Sequence, residues 1–321
     1  MKAIRYETYG PPETLQLKEA DVPAPGNRQV LVKVHAASIN AMDWRRFAMP
    51  SIMTRLFTGG WIKPKDALIG TDVAGRVEAI GEHVTRFKPG DEVFGFAHGS
   101  FAEYALSRES NLTLKPANRS FEEAAATPVA ALTALQGLRD AGKIQRGQKV
   151  LIHGASGGVG SFAIQIAKYY GGEVAAVCST KSLEMARSIG ADHVIDYTRE
   201  DFARKVERYD LIFAVNGYRS LFAYKRALRS QGIYVCAGGA LLQFIQAMVF
   251  GPLMSTQGGR QMRSMGIAKV NQEDLVFLAE LLGACALHPV IDRRYPLSDI
   301  VEAFRYVEGI HPQGKVVVQI A

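Results

Sequence analysis

Along the first 120 residues, apolar and polar positions alternate in short runs, as in QVLVKVHAASIN, DVAGRVEAIG, GDEVFGF and GSFAEYALS, with Gly or Pro between them. A period of two between turn signals is the pattern of antiparallel strands closing on one another, so this stretch predicts a barrel-like domain. From about residue 121 the grain changes. FEEAAATPVAALTALQGL predicts helix, and six apolar runs follow: KVLIHG, EVAAVCS, HVIDY, DLIFAVN, GIYVCAG and SMGIAKV. Helical stretches such as SLEMARSIG, DFARKV and LFAYKRALRS separate them. Parallel neighbours each require a crossover, so this alternation predicts a doubly wound, six-stranded parallel sheet of the Rossmann type. After the helix QEDLVFLAELLGACA an antiparallel grain returns in HPVIDRRYPLSDIVEAFRYVEGIHPQGKVVVQIA. Its last run, KVVVQI, has no partner left in the parallel sheet, which predicts a return to the first domain. The expected organisation is α/β: residues 1–122 with 290–321 form one domain, 123–289 are inserted into it, and a cleft lies between the two.

The join at KVLIHGASGGVGSFAIQIAK places five small residues between an apolar strand and a helix. In such a strand-turn-helix the first small residue allows a tight turn, the second lets the backbone approach a pyrophosphate, and the third lets helix pack on strand. Ala155, Gly157 and Gly160 hold these positions, with Ser156, Gly158 and Val159 between them. The following helix turns its orphan amides and positive dipole end toward an anion. A-x-G-x-x-G alone is a weak signal, but six strand-helix units in sequence make it a dinucleotide site. About 20 residues on, where a carboxylate would hold the ribose 2′-hydroxyl of NAD, stand Ser179, Thr180 and Lys181. Two hydroxyls and a cation suit a 2′-phosphate, so the expected cofactor is NADPH.

Length and composition agree with an enzyme of two domains: 321 residues, 48% hydrophobic and 21% charged. The formal charge of +7 comes without any block of five or six basic residues or an aromatic-basic stripe, which speaks against nucleic acid. Three scattered cysteines make no disulfide framework or Cys-x-x-Cys site, and MKAIRYETYG does not read as a secretory signal, so a reducing cytoplasm is expected. The longest apolar stretch, residues 240–254, is short for a membrane span and contains Gly251 and Pro252. It predicts a buried helix or a flap over an apolar pocket. With WRRFAMPSIMTRLFTGGW, residues 44–61, the region 240–265 is expected to wall the substrate pocket.

The segment GQKVLIHGASGGVGSFAIQIAK, with NAMDW, IGTDVAGRVEAIGEHVTRFKPGDEVFG, AATPVAALTAL and HPQGKVVV, resembles the medium-chain dehydrogenase/reductase superfamily, in its quinone oxidoreductase (zeta-crystallin-like) branch. The resemblance implies that the first domain is a GroES-like barrel and that the chain is a homodimer, with SMGIAKV as the edge that pairs with its symmetry mate. It also implies that Asn40 lies beside the nicotinamide, Thr127 faces its ribose, Tyr197 flanks the 2′-phosphate, and Asn216, Gly238 and Lys315 are cofactor contacts. Asn40 and Asp43 are the candidate catalytic residues, although Asp43 serves at least equally as the N-cap of a helix over WRRFAM. Related zinc dehydrogenases carry Cys at the position of Asn40 and Gly-His-Glu at Gly70, Thr71 and Asp72. With neither thiolate nor imidazole there, no catalytic metal is expected. Conjugated acceptors need no Lewis acid, so the implied activity is reduction of quinones or α,β-unsaturated carbonyls. Alternatives are an enoyl reductase of a lipid-type pathway and a non-catalytic, possibly RNA-binding, NADPH-binding protein.

Overall fold

The computed structural model describes residues 1–321 except 49–63, 65–66, 205–207, 217–218, 240, 256–258, 310–311 and 321, and the side chains of 241–245. Two compact units result. The first comprises residues 1–129, 270–285 and 291–321, the second 130–269 and 286–290.

The first unit begins with a two-stranded ladder of β1 (Lys2–Tyr6) and β2 (Leu15–Glu19). Its main sheet contains β3 (Gln29–Ser38), β4 (Asp72–Ile80), β5 (Glu92–Phe96), β6 (Tyr104–Arg108) and β7 (Leu112–Leu114). The two C-terminal strands, named below β14 (Ile291–Pro296) and β15 (Lys315–Gln319), extend it to the order β14-β15-β3-β4-β5-β7, with β6 on β3. Val30, Val32, Val34, Val73, Val77, Val93 and Leu112 alternate inward along these strands and form one core. KVVVQI returns to pair antiparallel with β3, as expected. The pairing of β14 with β15 is parallel, because helix Ile300–Gly309 carries the chain back between them. Phe304 of that helix packs edge-on against Phe47 and Phe101, and so ties it to the sheet.

The second unit contains β8 (Lys149–His153), β9 (Glu173–Cys178), β10 (His193–Asp196), β11 (Tyr209–Ala214), β12 (Leu228–Cys236) and β13 (Gln261–Ser264). All pairings are parallel and the order is β10-β9-β8-β11-β12-β13, the doubly wound arrangement. Reversal of strand order between β8 and β9 on one side and β11 on the other puts the first turn, after β8, at the topological switch point.

Several expectations need correction. The units do not divide at 122/123 and 289/290. Helix Gln272–Gly283 belongs to the first unit, where Gln272 Nε2 donates to the Leu112 carbonyl of β7. The helix expected from residue 121 is two helices, Phe121–Ala125 and Pro128–Gln136. Pro128 disfavours the helical conformation for Thr127 and restarts the helix at its own first position. The sixth strand is Gln261–Ser264 rather than SMGIAKV, since Met265 makes the last rung to Cys236 and Gly266 turns away at φ +70°. The edge strand on this side of the sheet is therefore 261–264. Helix Leu241–Met254 is not a buried helix: Ala247 and Gly251 pack, while Met248, Val249, Phe250 and Leu253 are exposed. A Cβ at Gly251 would come within 2.7 Å of the Met262 carbonyl, so small residues set its approach to β13. Of the expected pocket walls, residues 49–61, 240 and 256–258 lie outside the described residues. Among those described, no helix is long and apolar enough to cross a membrane.

Candidate functional site

β8 ends at His153, whose carbonyl accepts the Val215 amide at 2.9 Å. The chain then turns at Gly154, with φ +87°, and a Cβ there would come within 2.5 Å of the Asn216 nitrogen. Only glycine supplies that turn. The tight turn thus belongs to Gly154 and not to Ala155, whose methyl is buried and whose amide donates to Val177 O. At Gly160 a Cβ would lie 2.1 Å from Gly154 O, so the helix Gly158–Tyr169 sits directly on the turn. Gly157 differs from both. Its φ of −79° is ordinary, and the nearest atom to an added Cβ is Gly154 O at 3.9 Å. Among the described residues no atom stands close enough to an added Cβ to require glycine here, and the position caps the helix without a side-chain hydrogen bond. A bare backbone beside the orphan amides of Gly158, Val159 and Gly160 is a cradle for an anion, with Ser156 half-buried next to it. Asn216 borders the turn through its backbone, and Gly238 approaches Val215 O closely enough that a Cβ would meet it at 2.8 Å. His153 supports the turn from within. Its Nδ1 is 2.7 Å from the Tyr224 hydroxyl, and burial, aided by the charge of Arg219, pushes its pKa down to about 4.

A second cluster stands where β9 and β10 end side by side, Cys178 opposite Asp196. Sequence alone shows no acid at the end of β9; the fold supplies one from β10. Asp196 Oδ2 accepts the Thr180 hydroxyl at 2.5 Å, and Oδ1 accepts the Thr198 amide at 3.0 Å and its hydroxyl at 2.7 Å. These bonds, Thr180's first, hold the Asp196 carboxyl below its usual range. Thr180 therefore gives its proton to protein, which corrects the expectation of two hydroxyls available to a phosphate. Lys181 and Tyr197 are exposed and Ser179 half-exposed around it.

In the first unit, Asn40, Asp72 and Lys315 form a buried polar network. Asp72 is at the start of β4 and Lys315 at the start of β15, both flanking the end of β3. The Lys315 ammonium donates to Asn40 Oδ1 at 2.6 Å, Ile39 O at 3.0 Å and Asp72 Oδ2 at 3.3 Å. Asp72 Oδ2 also accepts Ser38 Oγ at 2.6 Å and Asn40 Nδ2 at 2.9 Å, while Oδ1 accepts the Val129 amide at 2.9 Å. This fixes which way the Asn40 amide faces. All three ammonium protons have acceptors within the unit, so Lys315, for which the resemblance implies a cofactor contact, also orders this network. Asp43 closes the first turn of helix Ala41–Phe47: Oδ2 accepts the Asn40 amide at 2.9 Å and Oδ1 the Thr71 hydroxyl at 3.0 Å. Burial raises its pKa to about 6, against the opposing hydrogen bond from Asn40. Thr127 is fully buried and its hydroxyl donates to Glu123 O at 2.8 Å. The roles of Ser38, Asp72 and Asp196 escape sequence reasoning; the one visible hint is an acid at 72 where zinc relatives also carry one.

A catalytic zinc does not fit this set. Positions 40 and 71 offer an amide and a hydroxyl in place of thiolate and imidazole, and an ammonium already neutralises Asp72.

Residues 26–117 match the family described as "Alcohol dehydrogenase GroES-like domain", and 189–318 the one described as "Zinc-binding dehydrogenase". A tomato (Solanum lycopersicum) 2-methylene-furan-3-one reductase is 37% identical over 99% of this chain and 79% of its own length. An Arabidopsis thaliana NADPH-dependent alkenal/one oxidoreductase of the chloroplast is 34% identical over 99% and 79%. The quinone oxidoreductase of Coxiella burnetii superposes with a TM-score of 0.88 at 30% identity, covering 100% of this chain and 99% of that one. An inserted parallel sheet with a glycine turn at its switch point, an antiparallel GroES-like unit and full-length likeness to these proteins lead to one conclusion: the chain is a member of the medium-chain dehydrogenase/reductase superfamily, in its quinone oxidoreductase branch.

Proposed function

We propose that the protein is an NADPH-dependent, zinc-independent reductase of quinones or α,β-unsaturated carbonyls. The carrying observation is Gly157, a glycine that no contact among the described residues requires, at a helix N-terminus without a side-chain cap. The amides of Gly158, Val159 and Gly160 hold the pyrophosphate beside Ser156 and Gly157, Asn216 and Gly238 border it, and Ser179, Lys181 and Tyr197 take the 2′-phosphate. When bound, the reduced nicotinamide supplies a hydride. Asn40 is the residue we assign to the substrate carbonyl. Its Oδ1 and one amide hydrogen are locked by Lys315 and Asp72, and its other hydrogen is held only loosely, 3.4 Å from Ser38 O. Asp43 and Thr127 have a structural role in this reading, because their polar atoms cap and bridge helices. Conjugated acceptors spread incoming charge onto oxygen, which suits a site where hydrogen bonds replace a Lewis acid. Similarity to an alkenal/one reductase, a furanone reductase and a quinone oxidoreductase supports the same substrate class. All three cysteines are free thiols, in keeping with the reducing cytoplasm we assign.

The test is NADPH oxidation, followed by loss of the reduced nicotinamide's near-ultraviolet absorbance, with 9,10-phenanthrenequinone, 1,4-benzoquinone and trans-2-alkenals. Turnover with at least one class is expected. Tight NADPH binding with no turnover on any acceptor would replace this reading by the non-catalytic one.

A further inference from the structure

The loops after β9 and β10 are joined by one carboxylate. Cys178 and Asp196 are register partners, and Tyr197 adds a rung by donating its amide to Cys178 O at 3.1 Å. From this position Asp196 binds Thr180 of one loop and Thr198 of the other. It also holds a cation: Arg199 Nε lies 3.6 Å from Asp196 Oδ2, and the Arg199 amide donates to Asp196 O at 3.0 Å. The rest of that side chain is 77% exposed.

Two consequences follow for a phosphate at this place. Both threonine hydroxyl protons are committed to Asp196, so neither hydroxyl donates to a phosphate, and the donor that the Asp196 cluster itself presents is the Arg199 guanidinium. The charge balance is also unfavourable with Lys181 alone. A phosphate monoester carrying close to two negative charges, set beside Asp196, exceeds what one ammonium offsets. A guanidinium presents its donors as a planar fork, so an edge turned toward Asp196 leaves the other nitrogens to an oxyanion.

We propose that Arg199 is a second reader of the cofactor 2′-phosphate, and that Asp196 is the positioning residue that brings Arg199 and the Thr180 loop to it. This rests on the NADPH reading above and names a residue which the glycine-turn pattern does not reveal. Asp196 then acts opposite to the acid of NAD-specific folds: it faces inward to two threonines and one arginine instead of outward to a ribose.

The experiment measures dissociation constants of NADPH and NADH by titration calorimetry for the intact protein, Arg199→Ala, Arg199→Lys and Lys181→Ala. Arg199 is at the surface, so its variants test binding rather than folding. Removing a charge-assisted contact to phosphate is expected to weaken NADPH at least about tenfold while NADH changes less than about twofold. Arg199→Lys is expected to recover part of the loss, since charge remains and the fork is gone. Unchanged NADPH affinity in Arg199→Ala, or equal losses for both cofactors, overturns the proposal. If Lys181→Ala alone loses NADPH, the assignment of Arg199 fails and the NADPH reading stands. If the intact protein binds NADH as tightly as NADPH, the NADPH reading fails first.

Discussion

Replacing Lys315 by Met keeps an unbranched side chain, one atom shorter, and removes the cation that faces Asp72 among the described residues. Asp72 is fully buried and Lys315 is 4% exposed, so water does not take over the lost partner. Breaking a buried pair from one side costs about 3–5 kcal/mol, because the surviving charge stays unpaired. Here Asn40 Oδ1 and Ile39 O lose a donor as well, which argues for the middle of that range or above. With a urea slope of about 2 kcal/mol per molar, a loss of about 4 kcal/mol moves the unfolding midpoint down by about 2 M. Trp44 packs against the core of the unit that holds the pair, so its fluorescence follows the unfolding of that unit. Adding Asp72→Asn removes the orphaned charge, and the double variant is expected to be less destabilised than the two single losses summed, by roughly 2 kcal/mol. A midpoint within about 0.5 M of the parent for Lys315→Met would refute the argument that this ammonium neutralises Asp72.

Gly157→Ala is expected to fold with the parent's stability to within about 1 kcal/mol, because the added methyl has no neighbour inside 3.9 Å among the described residues, but to weaken dinucleotide binding. Gly160→Ala should instead lower stability outright, since its Cβ would meet Gly154 O at 2.1 Å; circular dichroism melts separate the two cases, and a cofactor affinity untouched in Gly157→Ala would count against the cradle. Asp43 gives a pH dependence of definite sign. Its folded pKa, about 6, is above the unfolded 3.8, so it contributes stability below pH about 4 that is lost as pH rises through 6, in total about 3 kcal/mol. Asp43→Asn should lack that decline when urea midpoints are compared from pH 4 to 7; parallel curves would show that Asp43 does not carry it. Lys181→Ala is expected to raise the KM for NADPH and leave that for NADH nearly unchanged, as read from initial rates with a quinone acceptor.

Much of the architecture is legible locally because it is written in periods. Alternation marks the barrel strands, and strands alternating with crossover helices require a parallel sheet whatever the tertiary detail. Ala155, Gly157 and Gly160 announce a phosphate turn because backbone proximity demands small side chains. Boundaries were less readable: the unit of Gln272–Gly283 depends on which strand end it packs against, and the end of β13 on a positive φ at Gly266.

Pairings between residues distant along the chain belong to the three-dimensional fold. Lys315 and Asp72 meet across 243 positions, and nothing local in the sequence announces their pairing. Asp196 reaches Thr180 only because β10 lies beside β9 in register. The identities of the polar residues fix which groups can ionise or donate; strand order fixes which of them meet, and so which protons are left for a ligand.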